Sequence, residues 1–174
     1  MPEKIHRRLW PVLIGLVYGI TACTPEKEDS LLLHENWEFR QSGTKAWHPA
    51  TVPGVVHLDL LENGLIEDPF YRDNEKDQQY IEQENWEYHT HFSVPEEMLQ
   101  KQQIELHFAG LDTYAEVRLN GELILQAQNM FREWILPVKG LLKADSNLLQ
   151  VKFNSPIKAV MPIYNEIGRA SCRE

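Results

Sequence analysis

Hydrophobic and polar residues alternate strictly from Trp86 to Val94. Trp86, Tyr88, Thr90, Phe92 and Val94 fall on one side, with Glu87, His89, His91 and Ser93 on the other. Successive side chains of a strand point to opposite faces, so this period of two predicts a strand with one buried face, ended by Pro95. The pattern recurs with Ile104, Leu106 and Phe108 inward against Glu105 and His107, closed by Gly110. Ala115, Val117 and Leu119 alternate with Tyr114, Glu116 and Arg118, and Asn120-Gly121 follows. That dipeptide tolerates two positive φ angles in succession, which predicts a type I′ hairpin returning along Glu122–Leu125. Trp134, Leu136 and Val138 alternate, as do Leu149, Val151 and Phe153, and an early strand is predicted around Trp37 and Phe39.

Helical spacing is confined to short stretches. Val55–Glu62 places Val55, Leu58, Leu61 and Glu62 on one side, and Gly64 follows where a helix end favours a left-handed residue. Pro95–Leu99 predicts one turn, since proline suits a first helical position. The segment Ile66–Asn85 reads as a long polar loop that nevertheless carries Phe70, Tyr71 and Tyr80. Such loops on a rigid sheet scaffold are where binding groups concentrate. At least six short strands separated by Gly, Pro and Asn turns predict an all-β fold, an antiparallel β-sandwich of jelly-roll type. With no internal repeat, residues 31–166 read as one domain.

Both ends are set apart from that domain. Lys4, Arg7 and Arg8 precede an apolar run from Trp10 to Ile20, and Ile20-Thr21-Ala22-Cys23 follows. A positive start, a short apolar run and a small residue form a signal peptide over residues 1–22. The small residue before Cys23 resembles the lipobox of bacterial lipoproteins, in which the cysteine is acylated. An ordinary secretory signal with an incidental cysteine is the alternative. The expectation is an exported protein held by lipid at Cys23 in the periplasm or outer membrane, with residues 23–30 as a polar tether. Ile167–Glu174 (IGRASCRE) lacks periodicity and matches the translation of a common sequencing adapter, so it reads as foreign. The alternative is a genuine short tail.

Composition then narrows the partners. With 43% hydrophobic and 25% charged residues the chain is ordinary globular material with enough apolar mass for a core. The whole chain carries −9, and setting aside the leader (net +2) and the tail (net +1) leaves −12 for residues 23–166. A domain this acidic is ill suited to phosphate backbones and excludes nucleic acid as an expected partner. Neither a disulfide nor a Cys-based metal site is expected from Cys23 and Cys172.

The segments VPGVVHLDLLENGLIEDPFYRDNE (52–75), NWEYHTHF (85–92), LHFAGLDTYAEVRLNG (106–121) and NMFREWILPV (129–138) closely resemble the amino-terminal sugar-binding domain of β-mannosidases. These belong to the glycoside hydrolase family that also contains β-galactosidase and β-glucuronidase. The resemblance spans most of residues 31–163 and implies a galactose-binding-like jelly roll followed by immunoglobulin-like sandwiches and a β/α barrel. It implies retaining hydrolysis by two Glu residues on that barrel, about 5–5.5 Å apart so that one attacks while the other protonates the leaving oxygen. Neither is expected in this fragment, nor is the family's Trp-Asp-Trp sugar-contacting segment. The fragment is therefore expected to be inactive alone. The resemblance implies no cofactor, a mannose-containing oligosaccharide or glycan as substrate, and the downstream domains of its own chain as partner. By position Asn74, with Asp73, corresponds to a loop that touches the sugar in related β-galactosidases. Alternatively both residues cap or turn their own backbone.

Other groups have sharper and blander readings. Glu82, Glu84 and Glu87 cluster in sequence as a carboxylate pair would, yet acidic residues in an acidic chain are usually solvated surface. His89 and His91 share a strand face, and His107 on a neighbouring strand would complete a three-imidazole zinc site; polar decoration of the second face is the alternative. Trp86 and Trp134 lie on inward faces and read as core, while Trp47, in a loop beside His48 and Pro49, is open to either role. β-Galactosidase or β-glucuronidase activity is the alternative within the family, and a stand-alone carbohydrate-binding lipoprotein is the rival to the glycosidase reading.

Overall fold

The computed structural model describes residues 29–168, with side chains through Tyr164. The expected signal peptide (1–22), Cys23, most of the expected tether (23–30) and the expected foreign tail (167–174) from Arg169 onward lie outside the described residues.

The elements run β1 (Trp37–Gln41), β2 (His48–Ala50), α1 (Val56–Glu62), α2 (Asn74–Asp77) and a 3-10 turn (Ile81–Gln83). They continue through β3 (Trp86–Phe92), α3 (Glu96–Leu99), β4 (Glu105–Phe108), β5 (Tyr114–Leu119), β6 (Glu122–Ala127) and β7 (Trp134–Pro137). A 3-10 turn (Lys139–Leu141), β8 (Asn147–Asn154) and α4 (Pro156–Gly168) complete the order. One antiparallel sheet has the order β2-β1-β3-β8-β5-β6, and β4 pairs with β7 in a second. The fold is the expected all-β, galactose-binding-like sandwich.

The alternating faces predicted from sequence are the buried ones. Trp86, Tyr88 and Thr90 of β3, Ala115, Val117 and Leu119 of β5, and Leu149 and Val151 of β8 all point inward. Phe39 of β1 is enclosed between Trp86 and Tyr88, with ring centroids 6.1 and 5.7 Å away. Leu106, Phe108, Trp134 and Leu136 of the small sheet are half-buried and close over this cluster. Each fully buried large apolar side chain contributes about 1.5–3 kcal/mol, so the inward stripe is the main source of stability. At the β5–β6 hairpin Asn120 and Gly121 take φ of 53° and 91°, as the type I′ turn demands.

Three elements depart from the sequence reading. β2 is three residues long and centred on Pro49, too short to show a period; it is the edge strand, where a proline's missing donor is harmless. The loop between α1 and β3 contains α2 and a 3-10 turn. The 13-residue α4 has no counterpart in the sequence reading, because Pro162 inside it masks the helical pattern, and it runs on through Ile167 and Gly168, the first two residues of the segment set apart as a tail. Its start follows a recognisable logic: Ser155 accepts a hydrogen bond from Lys158 N–H at 3.2 Å, and Pro156 stands at the first helical position.

Asn147 anchors the chain where β8 begins. Its amide group, fully enclosed at 0% exposure, accepts from Lys143 N–H (2.9 Å) and Asn120 Nδ2 (3.0 Å) and donates to Lys143 O (2.7 Å). Asn120 in turn accepts from Leu148 N–H at 2.9 Å and donates to Leu141 O at 2.7 Å. The hairpin turn is thereby locked to the strand beside it.

Candidate functional site

The segment from Thr51 to Asn74 carries the densest group of residues that the sequence singled out. It begins at a tight approach: a Cβ on Gly54 would lie 2.1 Å from the carbonyl oxygen of Thr51, so only glycine fits. α1 follows, and its Asp59 turns into the protein at 1% exposure. The Asp59 carboxylate accepts from Thr51 N–H on one oxygen and from the Tyr88 hydroxyl on the other, both at 2.8 Å. A buried carboxylate needs such donors to offset its lost hydration. Burial, reinforced by the hydrogen bond and charge of Asp59, pushes the Tyr88 hydroxyl far above the usual tyrosine range. The stretch is thus pinned to β3 from inside and presents its next loop on a fixed base.

Beyond α1 the chain passes Gly64, whose φ of +66° is the predicted left-handed helix end. Asp68 then accepts from the N–H of Phe70 at 2.9 Å, and its carbonyl accepts from Tyr71 N–H at 3.1 Å. This turn presents Phe70 outward. Arg72, at φ +55°, lays its guanidinium over the Tyr71 ring at 5.0 Å.

Asp73 and Asn74, the predicted sugar contacts, lie at the start of α2. Asn74 Nδ2 donates to Asp68 O at 2.8 Å and, more weakly, to Glu67 Oε2 at 3.4 Å. Gln78 Nε2 holds Glu67 O at 2.7 Å. Asp73 is exposed and pairs with Lys76 at 2.9 Å. Both residues therefore engage their own loop through part of their hydrogen-bonding capacity. The Asn74 amide donors point into the turn, and its Oδ1 accepts from none of the described residues.

The remaining candidates separate. Glu87 Oε2 takes two bonds from Arg40, at 2.8 and 2.6 Å. Burial pushes the Glu87 carboxyl up, but the Arg40 hydrogen bonds and charge, with Lys152 nearby, more than offset this and hold it below the ordinary value. Glu84 faces Lys158 of α4 at 4.0 Å, and the Glu82 carbonyl accepts from the Ser155 hydroxyl at 2.6 Å. The three serve as ties between elements. His89 and His91 do share a face, with ring centroids 5.7 Å apart. The expectation that His107 neighbours them is corrected: it lies on β4, in the other sheet, 3.4 Å from Glu133. Among the described residues no three His, Cys, Asp or Glu side chains are grouped to hold a metal.

Trp86 is core, its Nε1 donating to Ile81 O at 3.1 Å, and Trp134 is half-buried beneath Arg132. Trp47 is taken up by protein contacts, with Arg40 4.2 Å above its ring and His89 edge-on at 3.9 Å. An open groove of about 530 Å³ is lined by Leu33, Asn36, His91, Phe92 and Ser146 among others, of which the sequence had singled out His91 as a candidate ligand.

The family described as glycosyl hydrolase 2 galactose-binding domain-like matches residues 37–173. The β-mannosidase of Rattus norvegicus is 36% identical over 154 residues, covering 88% of this chain and 17% of that protein. The β-mannosidase B of Thermothelomyces thermophilus is 40% identical over 126 residues, covering 71% and 15%. The crystal structure of the β-D-mannosidase from Dictyoglomus thermophilum superposes with a TM-score of 0.75 at 44% identity, covering 78% of this chain and 17% of that one. The chain thus spans about a sixth of the length of the relatives it matches.

Proposed function

We propose that this chain, which belongs to the glycosyl hydrolase 2 galactose-binding domain-like family, is the amino-terminal domain of a retaining, exo-acting β-mannosidase. On this reading the longer protein removes terminal β-D-mannose from the non-reducing ends of oligosaccharides or glycans. The observation that carries it is the contrast in similarity. The Dictyoglomus thermophilum β-D-mannosidase is 44% identical, whereas the β-D-glucuronidase of the same organism is 18% identical and shares the fold alone. The DPFYRDNE loop, through Asp73 and Asn74, would border the sugar site, with Asn74 Oδ1 as its available acceptor. The two carboxylates of the reaction would come from the downstream barrel, so the 174-residue chain binds no catalytic water and breaks no glycosidic bond. Acylation at Cys23 would hold the protein to a membrane.

The test is the purified full-length gene product assayed on nitrophenyl β-D-mannoside, β-D-galactoside and β-D-glucuronide. Hydrolysis of the mannoside at a kcat/KM at least tenfold above the others is expected. Preference for galactoside or glucuronide would overturn the specificity, and turnover by the 174-residue chain would overturn its assigned role. Cys23→Ser should abolish incorporation of labelled palmitate in bacterial cells; unchanged labelling would remove the lipoprotein reading.

A further inference from the structure

Two loops present a phenylalanine to solvent by the same device. Phe70 is 95% exposed, and its N–H is held by Asp68 Oδ1 at 2.9 Å, two residues before it. Phe131 is 91% exposed, and its N–H is held by Asn129 Oδ1 at 2.8 Å, again two residues before. In each loop an arginine follows and packs on a neighbouring aromatic ring, Arg72 on Tyr71 and Arg132 on Trp134. A side chain that merely lacked a place in the core would have no need of a turn that fixes its direction. Asn74 adds a second brace to the first loop by binding the Asp68 carbonyl. Along the chain before Phe70, Leu58 and Leu65 are also exposed. Near-total exposure of two pre-positioned aromatic rings is the pattern of interface anchors, which gain most when they enter a pocket on a partner.

We infer that Phe70 and Phe131 are docking anchors for the remaining polypeptide of the longer protein. This rests on the reading that the chain is one domain of such a protein. The occupant is chosen by length: the relatives that match this chain carry it as 15–17% of their own length. A permanently attached partner makes pre-formed anchors useful, because the linked association has a high effective concentration and rigid anchors lose little entropy on binding.

Hydroxyl-radical footprinting followed by mass spectrometry tests this without altering the protein. Phe70 and Phe131 should label readily in the 174-residue chain and be protected at least tenfold in the full-length protein. In parallel, Phe70→Ser and Phe131→Ser should leave the urea midpoint of the 174-residue chain unchanged and lower that of the full-length protein. Equal labelling in both forms would overturn the inference, as would equal destabilisation of both. Concentration-dependent protection in the 174-residue chain alone would assign the anchors to a second copy and equally overturn it. Mannoside hydrolysis is scored separately. Protection without it sinks only the proposed activity, and hydrolysis without protection sinks only the anchors.

Discussion

The Tyr88 hydroxyl donates a 2.8 Å hydrogen bond to the carboxylate of Asp59, joining β3 to α1 across 29 residues of chain. Both groups are enclosed, and the second carboxylate oxygen is taken by Thr51 N–H. The contact therefore fixes the angle at which the VPG segment and α1 leave the sheet.

Tyr88→Phe should lower stability by about 1–3 kcal/mol, the cost of leaving a buried acceptor without its donor. Asp59→Ala should cost more, since it leaves both Tyr88 Oη and Thr51 N–H without an acceptor. Urea unfolding at neutral pH measures both; a smaller loss for Asp59→Ala would contradict the arrangement.

The raised Tyr88 ionisation gives an alkaline signature. Its folded value lies above the ordinary 10.0, first through burial and then through Asp59. The folded protein then holds the phenolic proton more tightly than the unfolded chain does. That stability is complete below about pH 10 and is lost as pH rises further. Wild type should lose urea resistance more steeply than Tyr88→Phe above pH 10; parallel curves would contradict this.

Glu87 behaves oppositely. Arg40 and Lys152 outweigh the effect of burial and depress its ionisation below 4.5. Its contribution is present above that pH and disappears as pH falls through the folded value. Arg40→Met should raise the Glu87 pKa in a carboxylate NMR titration and reduce the drop in stability between pH 7 and pH 3. It should also change Trp47 fluorescence, because the guanidinium over the ring is removed.

Gly54 and Gly64 should respond differently to alanine. At Gly64 nothing lies within 4 Å of a new Cβ and the strain is that of a left-handed backbone, about 1–2 kcal/mol. At Gly54 the new atom would meet the Thr51 carbonyl oxygen at 2.1 Å, so backbone must move. Gly54→Ala should therefore have the lower thermal midpoint of the two, read by circular dichroism.

Asn147→Leu should be among the most damaging changes in the sheet, costing about 3 kcal/mol or more, because several enclosed polar groups lose partners at once. Asn74→Ala should be mild in the 174-residue chain, within roughly 1 kcal/mol at an exposed turn. In the full-length enzyme it should raise KM for nitrophenyl β-mannoside severalfold. An unchanged KM would leave Asn74 as a brace for the Asp68 turn.

Apart from the three-residue β2, the strand positions and their inward faces were legible in the sequence, as were the Asn120-Gly121 hairpin and the α1 end at Gly64. Each follows from sterics within a few residues: side chains alternate across a strand, and only certain residues accept positive φ. The motif residues of the candidate site were legible too, but their present work was not. Asn74 binds a carbonyl six residues back, and a sequence pattern does not show which of an amide's groups turns inward. What only the tertiary structure decided is which distant groups meet. It placed His107 on a different sheet from His89 and His91, set Asp59 against Tyr88 and Asn147 against Asn120, and directed Phe70 and Phe131 outward. These depend on where the chain returns after tens of residues, and local periodicity carries no information about that return.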